Sequence, residues 1–327
     1  MKTKLISDKN KSFLRFSFIA FLLLLGLPLA SQNQFLMSTL SLSVIWGIMG
    51  IGWNVLGGYA SQVSNGHAMY FAIGAYVGAI GLKMYNITPW LSMWIGVLMS
   101  VVVAFLIGFP LFRLRGHFFA IATMAIVEAV RIIFTNWDLI GGATGISFFD
   151  QTNSSLYSLQ FKDRIPFYYI CLGFLLVMIV ISRIIQQSKL GYYFRAIGAN
   201  QDSAESLGVN STMYKSVAYM ISAAIVSIGG ALYAQYIQYI DPLSILPLSN
   251  SMLIVLVVLM GGIGTVWGPV LGAFIMTFIN QYSRALFNQA PGLNMVIYGV
   301  LVVIIILFLP NGIFSLFTNR RKKKIEI

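Results

Sequence analysis

The sequence predicts an all-α, polytopic membrane protein: a bundle of about ten transmembrane helices with both termini in the cytoplasm. Three observations predict it. Hydrophobic residues make up 58% of the 327-residue chain and charged residues only 9%, against roughly 25% charged in a soluble domain. The apolar residues gather in successive runs of about 20, the length that crosses a bilayer core of about 30 Å. The runs are continuous rather than alternating, which argues against a β-barrel. The net charge of +12 does not mark a nucleic-acid binder. Lys and Arg sit mostly between the runs, where such charge reports topology.

Taken in order, the apolar segments fall at 16–30, 35–56, 63–82, 90–112, 117–134, 165–185, 214–237, 248–266, 267–284 and 292–309. The first follows Lys2, Lys4, Lys9, Lys11 and Arg15 and reaches a small residue at Ala30. It fits a cleavable signal peptide or an uncleaved first helix, and the charge pattern favours the helix. With the N-terminus inside, 16 Lys and Arg face the cytoplasm, including Arg113, Arg115, Arg183, Lys189, Arg195, Lys215 and the run Arg320 to Lys324. Four face outward: Lys83, Lys162, Arg164 and Arg284. Such a bias sets orientation. The expected layout is a basic cytoplasmic N-terminus over 1–15, a transmembrane domain over 16–315 and a basic cytoplasmic tail over 316–327. The longest external loop is 135–164. The last abutting pair meets at Gly261, Gly262, Gly264 and Gly268, where a tight turn costs little strain. Gly74 with Gly78, and Gly268 with Gly272, have the small-xxx-small spacing that lets helices approach in lipid. Both follow a Gly-Gly pair, which hints at an internal repeat. The single Cys171 lies in an apolar run and forms no internal disulfide.

The stretch SKLGYYFRAIGANQDSAESLGV (188–209) is soluble in character, set between two apolar segments. Leu190, Tyr193, Phe194 and Ile197 share one helical face. Gly198 is placed to end that helix. Asp202 with Glu205 is placed to cap a second, short helix as a capping box, which Gly208 closes. Three roles fit this segment: an interfacial helix on the membrane, a connector packed on its own bundle, or a helix that enters a groove of a cytoplasmic partner.

RAIGANQDSAESLGVNSTMYK resembles the cytoplasmic coupling segment of the permeases of branched-chain amino-acid ABC importers, through Gly191, Arg195, Ala196, Asp202, Ala204, Gly208, Val209 and Lys215. Three further stretches are similar to that family: GGYASQVSNGHAMYFAIGAY (57–76), RLRGHFFAIATMAIVEAVRII (113–133) and GGIGTVWGPVLGAF (261–274). Departures are Val63 for Leu, Ala60-Ser61 for Ala-Gly and Phe118 for Tyr. The resemblance runs from about residue 40 to 310. It implies a type II-like importer permease in the bacterial cell membrane, with the coupling segment over 186–213 and Arg195, Asp202, Ala204, Glu205 and Gly208 meeting separate ABC ATPase subunits. It further implies a second homologous permease, an external substrate-binding protein and a small polar solute. The solute is most simply leucine, isoleucine or valine, although related permeases carry urea, nucleosides or sugars. The chain has no G-x-x-x-x-G-K-S/T cradle, so ATP hydrolysis falls to the partners. No cofactor is expected.

Polar residues in or near the spans are candidates for the solute path. Glu128 and Arg131, three apart in the fifth segment, form either a self-neutralising structural pair or a polar patch on the path. Gln62, Ser64, Asn65 and His67 open the third segment, either as a plain loop with Ser64 or Asn65 as the cap or as a late-starting helix that exposes backbone to a cavity. His67 fits a structural histidine better than a proton relay. His117 reads as interfacial. Thr144 lies in GGATGI (141–146), whose glycines suit a carboxylate nest or a turn where the binding protein docks, with Asp138, Asp150 and Asp163 as rim charges. An ion-coupled secondary transporter would need more mid-membrane carboxylates than Glu128 alone. A membrane enzyme would need clustered His, Asp or Glu.

Overall fold

The computed structural model describes residues 21–28, 33–114, 116–148, 156–161 and 163–287, with 292, 296, 299–300, 303–304, 307–309 and 312–315 beyond them. Its helices are α1 (Gln34–Trp53), running on as a π-helical turn Asn54–Tyr59, then α2 (His67–Tyr85), α3 (Pro89–Leu111), α4 (His117–Thr135), α5 (Arg164–Gln187), α6 (Lys189–Ala199), α7 (Gln201–Ser206), α8 (Ser211–Ile237), α9 (Pro242–Ile245), α10 (Leu248–Gly261) and α11 (Gly268–Leu286).

Seven stretches among the described residues are long and apolar enough to cross a membrane: α1 with its π-turn, α2, α3, α4, α5, α8 and the α9–α10 unit Pro242–Gly261. α11 matches them in length, but Asn280, Gln281 and Arg284 in its last turns lower its apolar character. The expected segments 16–30 and 292–309 are only partly among the described residues. Residues 21–28 are helical and sit on α5, where the Tyr168 hydroxyl donates to the Leu24 carbonyl at 2.8 Å. The chain is thus an all-α polytopic bundle. Among the described residues a two-residue antiparallel ribbon joins β1 (Ile146–Ser147) to β2 (Tyr239–Ile240), pairing Ile146 with Ile240.

The core sits where α8 packs against α2, α3 and α1. Small residues make this contact possible. A Cβ on Gly74 would lie 2.0 Å from the Ser227 carbonyl of α8, so the two backbones touch without a side chain between them, the closest packing open to helices in lipid. Two buried hydroxyls of α1 pair within that helix: Ser41 donates to the Met37 carbonyl and Ser43 to the Thr39 carbonyl. The far face of α3 points away from this core and α4 lies outside it; they present Leu98 and Leu106, and Phe118 and Ile121, outward.

The expected segment 248–266 is displaced toward its N-terminus. Pro242 begins a one-turn helix, Pro247 interrupts it and α10 follows. Asn250 covers the break, its side-chain amide donating to the carbonyls of Ser244 and Ile245 at 2.8 and 2.9 Å. Residues 262–267 form the turn instead, because Gly262 and Gly264 take φ of 131° and 71°, which ends the helix before Ile263.

Candidate functional site

Three chain segments meet at one end of the bundle: the π-turn and loop after α1, the α5–α6 corner, and the loop between α10 and α11. Asn54 ties the first to the last. It is fully buried, accepts from the Gly264 N–H at 2.8 Å and donates to the Thr265 carbonyl at 2.9 Å. The wider π-turn aims it at that loop, as π-turns often do at functional sites. The Gln186 side chain donates to the Gly264 carbonyl at 3.4 Å, and the Tyr59 and Ser182 hydroxyls sit 2.9 Å apart. α6 rests on the same place. A Cβ on Gly198 would stand 2.8 Å from Ser61 Oγ and 3.0 Å from the Tyr59 carbonyl. Gly198 is therefore a close-approach residue rather than the helix end expected of it; α6 runs on to Ala199.

The apolar face of α6 is real, but it is spent on the protein's own bundle. Phe194 and Ile197 are buried, with Leu190 and Tyr193 partly so. Its outward face carries Tyr192 and Arg195, with the guanidinium 4.9 Å from the Tyr192 ring centroid. Arg195 also donates to the carbonyls of Gln186 and Gly191, each at 3.2 Å, and so covers the carbonyl end of α5. The cap of α7 differs from the expected capping box. Asn200, extended at φ −159°, is the cap and accepts from the Ser203 N–H at 2.9 Å, two positions before the expected cap at Asp202. Asp202 lies exposed in the first turn, and Glu205 accepts instead from Gln201 at 2.8 Å and from Ser211. The Gln201 carbonyl oxygen in turn accepts from buried Lys215 at 2.5 Å. Ala204 is buried, while Gly208 takes φ 85° in open space, beside a Leu207 that is 86% exposed. The segment therefore has a packed inner face and a mostly polar outer face with one prominent apolar tip.

Ser64 and His67 lie deep beside this junction. The Ser64 carbonyl accepts from the Trp53 indole at 2.7 Å, and His67 Nε2 is 2.7 Å from Ser222 Oγ on α8. Neither Ser64 nor Asn65 caps α2; Gly66 stands at that position and Ser64 Oγ accepts its N–H at 3.3 Å. Gln62, partly buried, donates to its neighbour Ala60. Ser64 and His67 are thus packed, hydrogen-bonded groups, while α2 begins late, at His67. At the opposite end, Thr144 folds onto its own loop, donating to the Gly141 carbonyl at 2.8 Å while its carbonyl accepts from Tyr239 at 2.9 Å. Arg115, Asp150 and Lys162 lie outside the described residues.

Glu128 and Arg131 stand apart from all of these. Arg131 Nε donates to Glu128 Oε2 at 3.0 Å, and a second, closer contact joins Arg131 to Oε1. Their side chains are 51% and 29% exposed on the outer face of α4. The sequence reading missed Asn54, Lys215 with Gln201, and Ser222. A lone Asn at the end of an apolar run was the available signal for the first, since a polar side chain there needs a partner.

A bundle of long apolar helices with a folded elbow and a glycine-lined junction beneath it is the architecture of an integral-membrane protein. A family model described as "Branched-chain amino acid transport system / permease component" matches residues 35–306. The chain belongs to that family. It is 29% identical over 307 residues to the high-affinity branched-chain amino acid transport system permease protein LivM of Escherichia coli (strain K12), spanning 87% of this chain and 71% of that protein. It is 22% identical over 303 residues to LivH of the same organism, across 86% and 95% of the two chains. Over 143 residues, 42% of this chain, it is 27% identical to the autoinducer 2 import system permease protein LsrC of Photorhabdus laumondii.

Proposed function

We propose that this chain is the membrane-spanning permease subunit of an ATP-driven importer for leucine, isoleucine and valine. The relatives that match most of its length are permeases for branched-chain amino acids, and ATP hydrolysis would take place in separate subunits. The single observation that carries the coupling role is the outer face of α6–α7. Tyr192, Arg195, Asp202 and Leu207 are exposed on a doubly capped elbow whose inner face is already used. Leu207, 86% exposed at the tip, would enter a groove of the partner, as in helix-in-groove docking. That elbow would dock on the ATPase, Gly198 would pass its movement to Tyr59–Ser61, and Asn54 would carry it to the α10–α11 loop. In this orientation the junction is cytoplasmic, and the loop around Thr144 faces the external binding protein. A second, homologous permease completes the path in the bacterial cell membrane.

The test is reconstitution with the cognate ATPase, second permease and binding protein in vesicles, measuring ATP-dependent leucine uptake. Uptake that needs ATP and the loaded binding protein is expected. Uptake by this chain alone without ATP, or uptake of sugars but not leucine, would overturn the reading. Within that assembly, Leu207→Asp should release the ATPase while leaving the permease folded. Gly208→Val should do the same, because its strain of about 1–2 kcal/mol falls on the elbow and meets no neighbouring atom within 4 Å.

A further inference from the structure

The Glu128–Arg131 pair has no place in the junction, and its position is costly unless it serves a purpose. Glu128 lies 11 residues past His117 and seven before Thr135, about 16 Å and 10 Å from the two ends of α4 at 1.5 Å per residue. Among the described residues Glu128 is the only charged side chain more than four residues from either end of a span. Charges at that depth face a protein interior or a water-filled cavity, not hydrocarbon. Neither side chain touches another polar group among the described residues, and both stand on the outer face of α4. Arg131 also turns toward Glu128 and the membrane centre, although it lies only four residues from the helix end, about 6 Å, where a long side chain could reach the interface instead.

The surroundings have a definite shape. Phe118, Ile121, Ala125, Glu128 and Ile132 recur at spacings of three and four and are all exposed, forming one stripe along α4. Ala125, one turn before Glu128, leaves a niche between the larger Ile121 and Ile132. We propose that this stripe lines the aqueous route through the membrane, and that Glu128 and Arg131 contact the solute: Glu128 takes the ammonium group of a zwitterionic amino acid and Arg131 its carboxylate, with the aliphatic side chain over Ala125 between Ile121 and Ile132. The exchange is electrically balanced. One ion pair opens and two form with the solute, so no charge is left uncompensated in a medium where an unpaired charge is expensive. Solutes with a net charge lose that balance. The inference rests on the proposed transport reading and adds to it the residues that meet the solute.

The test uses the complete transporter in vesicles. Cys171, this chain's sole cysteine, is fully buried and should give little background. Cysteine is placed at Ala125 and Ile132, and at Leu98 on α3 as a lipid-facing control. A charged, membrane-impermeant thiol reagent should modify A125C and I132C at least about tenfold faster than L98C, and leucine-loaded binding protein with ATP should slow it. Equal rates at all three positions, or no reaction at A125C and I132C in the assembled transporter, would overturn the proposal; the second result would make the stripe a dry seam with the second permease. In parallel, the electroneutral double variant E128Q/R131Q should lower leucine uptake by about tenfold or more, the scale of a lost charge-assisted contact, while ATP hydrolysis stimulated by the loaded binding protein persists. If uptake and hydrolysis fall together, the pair is structural and the proposal fails. Failure of the wild-type complex to import leucine would instead strike the transport reading.

Discussion

α8 and α4 are both apolar spans, yet 72% of the most apolar window of α8 is buried and only 17% of that of α4. Lipid tails are as apolar as leucine, so hydropathy gives neither helix a reason to sit inside. What separates them is side-chain size and hydrogen bonding. α8 carries Ser216, Ser222, Ser227, Gly229, Gly230 and Ala231, all buried, and meets α2 backbone to backbone. α4 carries large apolar residues on its open face, with Glu128 and Arg131 among them. Inside a membrane, the small and polar helix is the core, and the conventionally hydrophobic one faces outward.

Substitutions can break or sharpen that contrast. The largest effect is expected from Gly74→Val, which drives a side chain into the Ser227 carbonyl. Overpacking costs about 1–3 kcal/mol and more where the backbone cannot yield, so little monodisperse permease should survive detergent extraction and gel filtration. Asn54→Leu comes next. It strands the Gly264 N–H and the Thr265 carbonyl, at about 1–3 kcal/mol for a buried group left unpaired, and should lower the thermal midpoint of the purified protein clearly. Asn54→Asp keeps the acceptor for Gly264 and should fall between. Ser222→Ala removes the partner of His67 Nε2 and should cost about 1 kcal/mol by the same measurement. Smallest is Ile121→Ala on α4, expected within about 0.5 kcal/mol of the parent. If Ile121→Ala were as damaging as Gly74→Val, the contrast between the two helices would be wrong.

The bundle was legible because continuous apolar runs have a single structural solution in lipid: helices, with every backbone group paired inside its own segment. The elbow was legible too, since the 3.6-residue period of Leu190, Tyr193, Phe194 and Ile197 stands out against polar neighbours. Its details were not. Asn200 took the cap that Asp202 and Glu205 appeared to share in the sequence, because the chain is already extended at Asn200. Gly198 served contact with Tyr59 and Ser61 rather than helix termination, and a contact across 137 or more residues of chain leaves no local mark. Thr144 and the nearby glycines folded onto Tyr239 and Ile240 for the same reason.

By itself the sequence determined the solvent of this protein, its succession of long apolar helices, the existence of a structured elbow and the family to which its motifs point. Composition and short-range periodicity are enough for those, since each depends on residues near one another in the chain. The tertiary structure alone decided which helices form the core, which face of the elbow remains free, and that Asn54, Gly198 and Gly264 meet at one junction. Those outcomes depend on close backbone approach and on hydrogen bonds between segments that are distant in sequence, and only the packed bundle brings them within reach.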